Sequence, residues 1–152
     1  MEILTRHFGT VDIEADKVIE FKEGIFGFSE LKTFVILYDG AEEGNPFAWL
    51  QSVQEKDVCL PMISPMFWFQ EYAPDVDDEL VASIGDLDPS ALDIYTIVVI
   101  PDDIKDMTTN LKAPIIVNRD TKLGMQVIVN DDEYNIKHNL YEQLEKLKKA
   151  GE

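Results

Sequence analysis

Ten short runs of β-forming residues, each broken off by turn formers, constrain this chain more than anything else in it. They are 2–6, 10–13, 18–21, 33–38, 47–52, 58–63, 94–100, 108–111, 114–117 and 126–129. So many strands with so little helix between them predict a mostly-β fold, an antiparallel barrel or a bent sandwich. The β-branched run Ile94–Ile100 is apolar on both faces, which places it centrally in the sheet. Pro114 lacks an N–H and sits inside an apolar run, so it belongs at a sheet edge, a strand start or a bulge.

Two short helices are expected, one near 77–84 and one at the C-terminus. In the first, Asp77 is the cap, Asp78 and Glu79 favour the positive N-terminal dipole, and Val76 and Val81 stand at staple spacing. In the second, Asn139 and Glu142 form a capping box and Leu140, Leu144 and Leu147 an apolar stripe. Lys146, Lys148 and Lys149 suit its C-terminal end, and Gly151 is a stop. With 152 residues, 45% of them hydrophobic, and no linker or repeat, residues 1–152 read as a single domain.

Charge sets the class of partner. Thirty acids against 13 Lys and Arg give a net charge of −17. Between residues 71 and 106 there are eleven acids and Lys105 as the one base, whereas residues 107–152 carry seven of each. An acidic middle repels phosphate backbones, because nucleic-acid affinity rests on Lys and Arg displacing counterions. It attracts basic protein surfaces, over about 8 Å at physiological salt.

Signals for chemistry are weak. His7 and His138 are the only histidines, and neither stands in a motif that would activate a nucleophile. The run Asp75–Glu79 begins like a calcium loop, but Leu80 occupies the position that requires Gly, and helix capping explains the same acids. One cysteine and two distant histidines do not make a zinc site. The expectation is a protein that is not an enzyme and has no cofactor and no metal. Cys59, alone between Val58 and Leu60, reads as a buried small hydrophobe, and no disulfide framework is possible within one chain. No apolar run reaches the roughly 18 residues of a membrane span, and the N-terminus lacks a signal-peptide pattern. These features fit the cytoplasm.

Three places carry contact candidates. Gly24 and Gly27 mark a tight turn, while Ile25, Phe26 and Phe28 are bulky for a loop and serve either packing or contact. Met66–Phe69 with Tyr72 is the densest aromatic cluster. As a strand it cannot bury both Phe67/Phe69 and Trp68 on one face, so it is covered on both sides or leaves Trp68 or its neighbours exposed. Asn110, Lys112 and Pro114 either satisfy backbone groups at a strand irregularity or form an edge that receives a partner segment.

Taken together, Thr108 with Asn110–Pro114, Gly124 with Gln126 and Val127, and Tyr134 with His138 resemble the FliW flagellar assembly factor family. Glu23–Phe28 and Phe47–Ser52 extend the resemblance over about residues 1 to 140; the family position after His138 is often Pro and is Asn139 here. The resemblance implies a cytoplasmic protein that binds the RNA-binding carbon storage regulator CsrA, relieves its repression of flagellin translation, and binds flagellin as the competing partner. In that setting Asp75, Asp77, Asp78, Glu79, Asp86 and Asp88 are expected to give association rate and salt sensitivity. Gly24, Ile25, Phe26, Phe28, Trp68, Asn110, Lys112 and Pro114 are expected near the binding surface. The alternative is a small-ligand-binding β-barrel, which needs an open apolar interior.

Overall fold

The computed structural model describes residues 1–6, 8–38, 47–85 and 91–150, with backbone alone for 148–150. Its main sheet runs through β3 (Ile19–Glu20), β4 (Thr33–Tyr38), β5 (Phe47–Ser52), β6 (Cys59–Ile63), β7 (Leu92–Val99), β9 (Ile115–Asn118) and β10 (Leu123–Gln126). Because β7 pairs with both β6 and β9, and β10 pairs with both β9 and β3, these seven strands close into a barrel. Every junction in the ring is antiparallel except β10–β3, which is parallel and joined through the single register pair Leu123↔Glu20. A separate hairpin, β1 (Glu2–Thr5) with β2 (Gly9–Asp12), lies apart from that sheet.

The interior is filled. Ile19, Phe34, Leu50, Met62, Tyr95, Ile115 and Val117 point inward from successive strands and pack with Phe21 and Ile25 in one buried cluster. Gly124 is required there: a Cβ on it would lie 2.6 Å from Cζ of the fully buried Phe21. Three smaller clusters cover the outside. The β1–β2 hairpin lays Ile3, with Ile13 just beyond it, on Val35 of β4. Helix α2 (Asp78–Ala82) presses Val81, followed by Ile84, on Ile116 and Val127, with Val76 completing the staple. Helices α1 (Pro65–Trp68) and α3 (Leu140–Ala150) share Ile63, Trp68, Val98 and Leu140.

Both expected helices are present. Asp77 caps α2 by accepting from Glu79 N–H at 2.9 Å, and Asn139 caps α3 by accepting from Glu142 N–H at 2.8 Å. The side chains of Lys148 and Lys149, and Gly151, lie outside the described residues. The aromatic cluster is corrected: Met66–Phe69 is not a strand. Pro65 stands at the first position of helix α1, where its missing N–H costs nothing. A helical turn then sends Trp68 inward, 3% exposed, and leaves Met66 and Phe67 outward at 37% and 59%. Trp68 is therefore a core residue, with Phe47 edge-on at 5.8 Å, and not an exposed anchor.

β7 is as central as its sequence implies. It holds β6 on one side, and on the other first β9 and then β8 (Thr108–Thr109), which in turn pairs with β11 (His138–Asn139). Between β8 and β9 the chain leaves the ladder at Asn110–Pro114, the irregularity that Pro114 foreshadows. Asn110 Oδ1 accepts from the N–H groups of Lys112 and Ala113, at 3.1 and 3.0 Å, and so holds the excursion. Its outer side is occupied, since Val127 N–H donates to Pro114 O and Val129 N–H to Lys112 O. The segment is an internal bulge. Of the two readings of Asn110, Lys112 and Pro114, the geometry is that of the strand irregularity, with Asn110 satisfying backbone groups, and not of an open edge.

Candidate functional site

The turn at 24–28 projects one aromatic ring. Gly24 (φ +67) and Gly27 (φ +88) take left-handed conformations that bring Ile25 and Phe28 opposite each other. Ile25 is sealed in the core at 2% exposure and Phe28 is half-buried, but Phe26 stands 54% exposed. At Gly24 no other residue fits, because a Cβ would sit 2.6 Å from Phe28 O.

Gln126 fastens this loop to the bulge. Its Oε1 accepts from Phe26 N–H at 2.8 Å, and its Nε2 donates to Ala113 O at 3.0 Å. Next along, the Lys112 ammonium donates to Asp131 O at 2.9 Å, and Asp131 Oδ1 accepts from Asp75 N–H at 2.7 Å. Asn130 N–H closes the join by donating to Asp75 O. A continuous run of contacts thus leads from Phe26 through the bulge to the exposed acids Asp75, Asp77, Asp78 and Glu79 at the start of α2. The bulge residues in that run are less exposed: Asn110 and Lys112 are half-buried and Pro114 is buried. Asp86 and Asp88 lie outside the described residues.

Sequence reasoning missed how this region is extended. Asp131 joins Asp75 across the fold, and Asp132 and Glu133 follow it in the chain, although all three sit in its charge-balanced last third. The signal was present in Tyr134 and His138, which anchor that loop. Tyr134 Oη accepts from Ala73 N–H at 3.1 Å, and the ring meets Tyr72 edge-on at 4.7 Å. His138 Nε2 accepts from Asn135 N–H at 2.9 Å, which leaves the ring proton on Nδ1. Partial burial lowers the His138 pKa, so the ring is neutral at pH 7. Tyr72 Oη donates to Leu111 O at 2.7 Å, and burial holds its proton firmly in place.

Burial pushes the Cys59 thiol up to about 11, against a smaller lowering by Arg6, so it is protonated at neutral pH. Among the described residues no three His, Cys, Asp or Glu side chains lie together as a metal site, and no helix is long and apolar enough to cross a membrane. His7 lies outside the described residues.

A closed, packed barrel with an acidic flank and one projecting aromatic loop defines a small protein whose features of interest are on its surface. Comparison with known proteins gives that class a family. The profile of the FliW protein family matches residues 2–140, and the chain belongs to that family. It is 41% identical over 146 residues to the flagellar assembly factor FliW of Lachnoclostridium phytofermentans, covering 95% of this chain and 94% of that one. The corresponding factor of Thermoanaerobacter pseudethanolicus is 44% identical over 144 residues, covering 95% of each. A crystal structure of the flagellar assembly factor FliW superposes with a TM-score of 0.83 at 33% identity, over 93% of this chain and 97% of that chain.

Proposed function

We propose that this protein is a cytoplasmic, non-enzymatic regulator of flagellar assembly that works by partner switching. It binds the basic RNA-binding regulator CsrA and so relieves repression of flagellin translation; flagellin competes for it. The reading rests on membership of the FliW family, and the observation that carries it is the run of contacts from Phe26 to Asp75–Glu79. That run joins an exposed aromatic to a dense acidic patch on a chain of net charge −17.

Division of labour follows from magnitudes. Exposed ion pairs contribute about 0–1 kcal/mol each, so the acids govern association rate and salt dependence. A buried aromatic anchor contributes about 2 kcal/mol or more, which assigns affinity to Phe26. Contact through 110–114 would be made by side chains, since its backbone is already paired. The test is capture of purified CsrA and flagellin at two salt concentrations, with Asp77→Asn/Glu79→Gln as the variant. CsrA association slowed by salt and by the variant supports the reading. Association indifferent to both removes the acidic patch from the mechanism, and capture of neither partner removes the function.

One observation favours a second reading. Tyr38 and Tyr95, whose hydroxyls meet at 3.0 Å, line a cavity of about 540 Å³ together with Ile19 and Val117 and with the charged Asp93, Arg119 and Lys122. The barrel interior itself is filled, so a small ligand would bind at this mouth. A ligand-dependent rise in melting temperature would reveal it.

A further inference from the structure

Four aromatic rings form an unbroken edge-to-face series beside the acidic patch. Phe69 meets His138 at 6.0 Å, His138 meets Tyr134 at 6.4 Å, and Tyr134 meets Tyr72 at 4.7 Å. They wall an open cavity of about 460 Å³ between the segment after α1 and the start of α3. Glu71 and Glu133 also line it, and among the described residues no Lys or Arg does. Among the described lining groups the one able to become cationic, His138, is kept neutral by burial and by accepting the Asn135 N–H.

Such a cavity has a definite preference. The faces of aromatic rings carry negative potential, and a desolvated cation gains more from them than an exposed one does. Carboxylates at the edge add a second attraction of the same sign. A planar guanidinium satisfies both, stacking on a ring while its fork reaches a carboxylate; a compact ammonium does this less well. The volume lies within the range of sites that enclose a small group, about 300–1,000 Å³.

Resting on the reading above that a basic protein is the partner, we infer that this cavity receives an arginine side chain of that partner. It abuts the patch that would guide the partner in, since Tyr134 holds Ala73 and Asp131 holds Asp75. The acids steer from a distance, and the cavity fixes one side chain in place.

The test is an NMR titration of the full chain with a blocked glycine–arginine–glycine peptide and its citrulline counterpart, which keeps the shape and removes the charge. The arginine peptide is expected to shift the amides of Tyr134, His138 and Gln143, and the citrulline peptide is not. Glu71→Gln with Glu133→Gln should weaken the arginine peptide about threefold to tenfold without changing the melting temperature. Equal responses to both peptides, shifts confined to other regions, or no response at millimolar peptide would overturn the assignment. A parallel capture of CsrA separates the two claims. Failure of CsrA to bind wild-type protein removes the proposed function, while the peptide result still decides the cavity. Normal CsrA binding by the double variant refutes the arginine site alone.

Discussion

Replacing Gln126 with Leu tests whether the projecting loop is held or merely adjacent. The substitution keeps the bulk and removes both hydrogen bonds, Phe26 N–H to Oε1 at 2.8 Å and Nε2 to Ala113 O at 3.0 Å. Phe26 N–H is exposed, so water replaces its lost acceptor at small cost. Ala113 is only 4% exposed, and its carbonyl loses a donor in a largely dry setting. An orphaned buried acceptor costs about 1–3 kcal/mol, which for a chain of this size lowers the melting temperature by roughly 3–10 °C. Phe26→Ala is the comparison. With the ring 54% exposed, its removal should change stability by no more than about 0.5 kcal/mol. As a contact anchor, the same ring should weaken partner binding by about thirtyfold, equivalent to 2 kcal/mol. Thermal melts and titration calorimetry on both variants give four numbers. A Gln126→Leu protein that melts with wild type would refute the bridging argument, and a Phe26→Ala protein that melts several degrees lower would show the ring to be packing.

Gly24→Ala should be severely destabilising, because its Cβ would meet Phe28 O at 2.6 Å as well as an unfavourable φ; Gly27→Ala has open space and should cost only the left-handed term, about 1–2 kcal/mol, by denaturant titration. Asn110→Ala removes the acceptor for two N–H groups and should cost about 1–3 kcal/mol, whereas Asn110→Asp keeps the oxygen and should cost less; comparable losses would mean that the amide nitrogen matters instead. Stability should fall as pH drops below about 6.5, since His138 has a lowered folded pKa and the unfolded chain takes up that proton first. His138→Gln should flatten this part of the melting-temperature profile, and an unchanged slope would assign it to other groups.

Strands that carry their own punctuation were readable from the chain. Thr33–Tyr38 and Phe47–Ser52 run where their β-branched and aromatic residues place them. Ile94–Ile100 is recognisable as the hub strand, found at Leu92–Val99, because Tyr95, Thr96 and Val98 are buried and break the alternation, although Val99 and Ile100 are exposed. β10 was displaced, expected at 126–129 and found at Leu123–Gln126, because Gly124 reads as a breaker. Only the tertiary position of Phe21 explains a glycine there. The 66–69 cluster was misassigned for a related reason: aromatic content favours a strand, while Pro65 opens a helix and changes the period from 2 to 3.6. Trp68 is consequently buried and its neighbours Met66 and Phe67 are left outside. At the surface, Asp75–Glu79 was visible as a run of like charge, but its junction with Asp131 spans more than fifty residues of sequence. No local pattern encodes a pairing of that length.

The parallel seam between β3 and β10 gives the barrel the character of a split ring. Elsewhere around the circle, β4–β5 and β5–β6 are each laced by five register pairs, yet here Leu123↔Glu20 stands alone, supported by Glu20 N–H to Lys122 O at 3.0 Å. Free energies of local opening follow the density of such lacing, so the Glu20 amide should exchange with solvent before those of β5. The loop bearing Phe26 emerges directly after one lip of this gap, and Gln126, which grips it, ends the strand forming the other. A partner seated on that loop would act as a clasp, and its arrival would be recorded as slowed exchange along the seam.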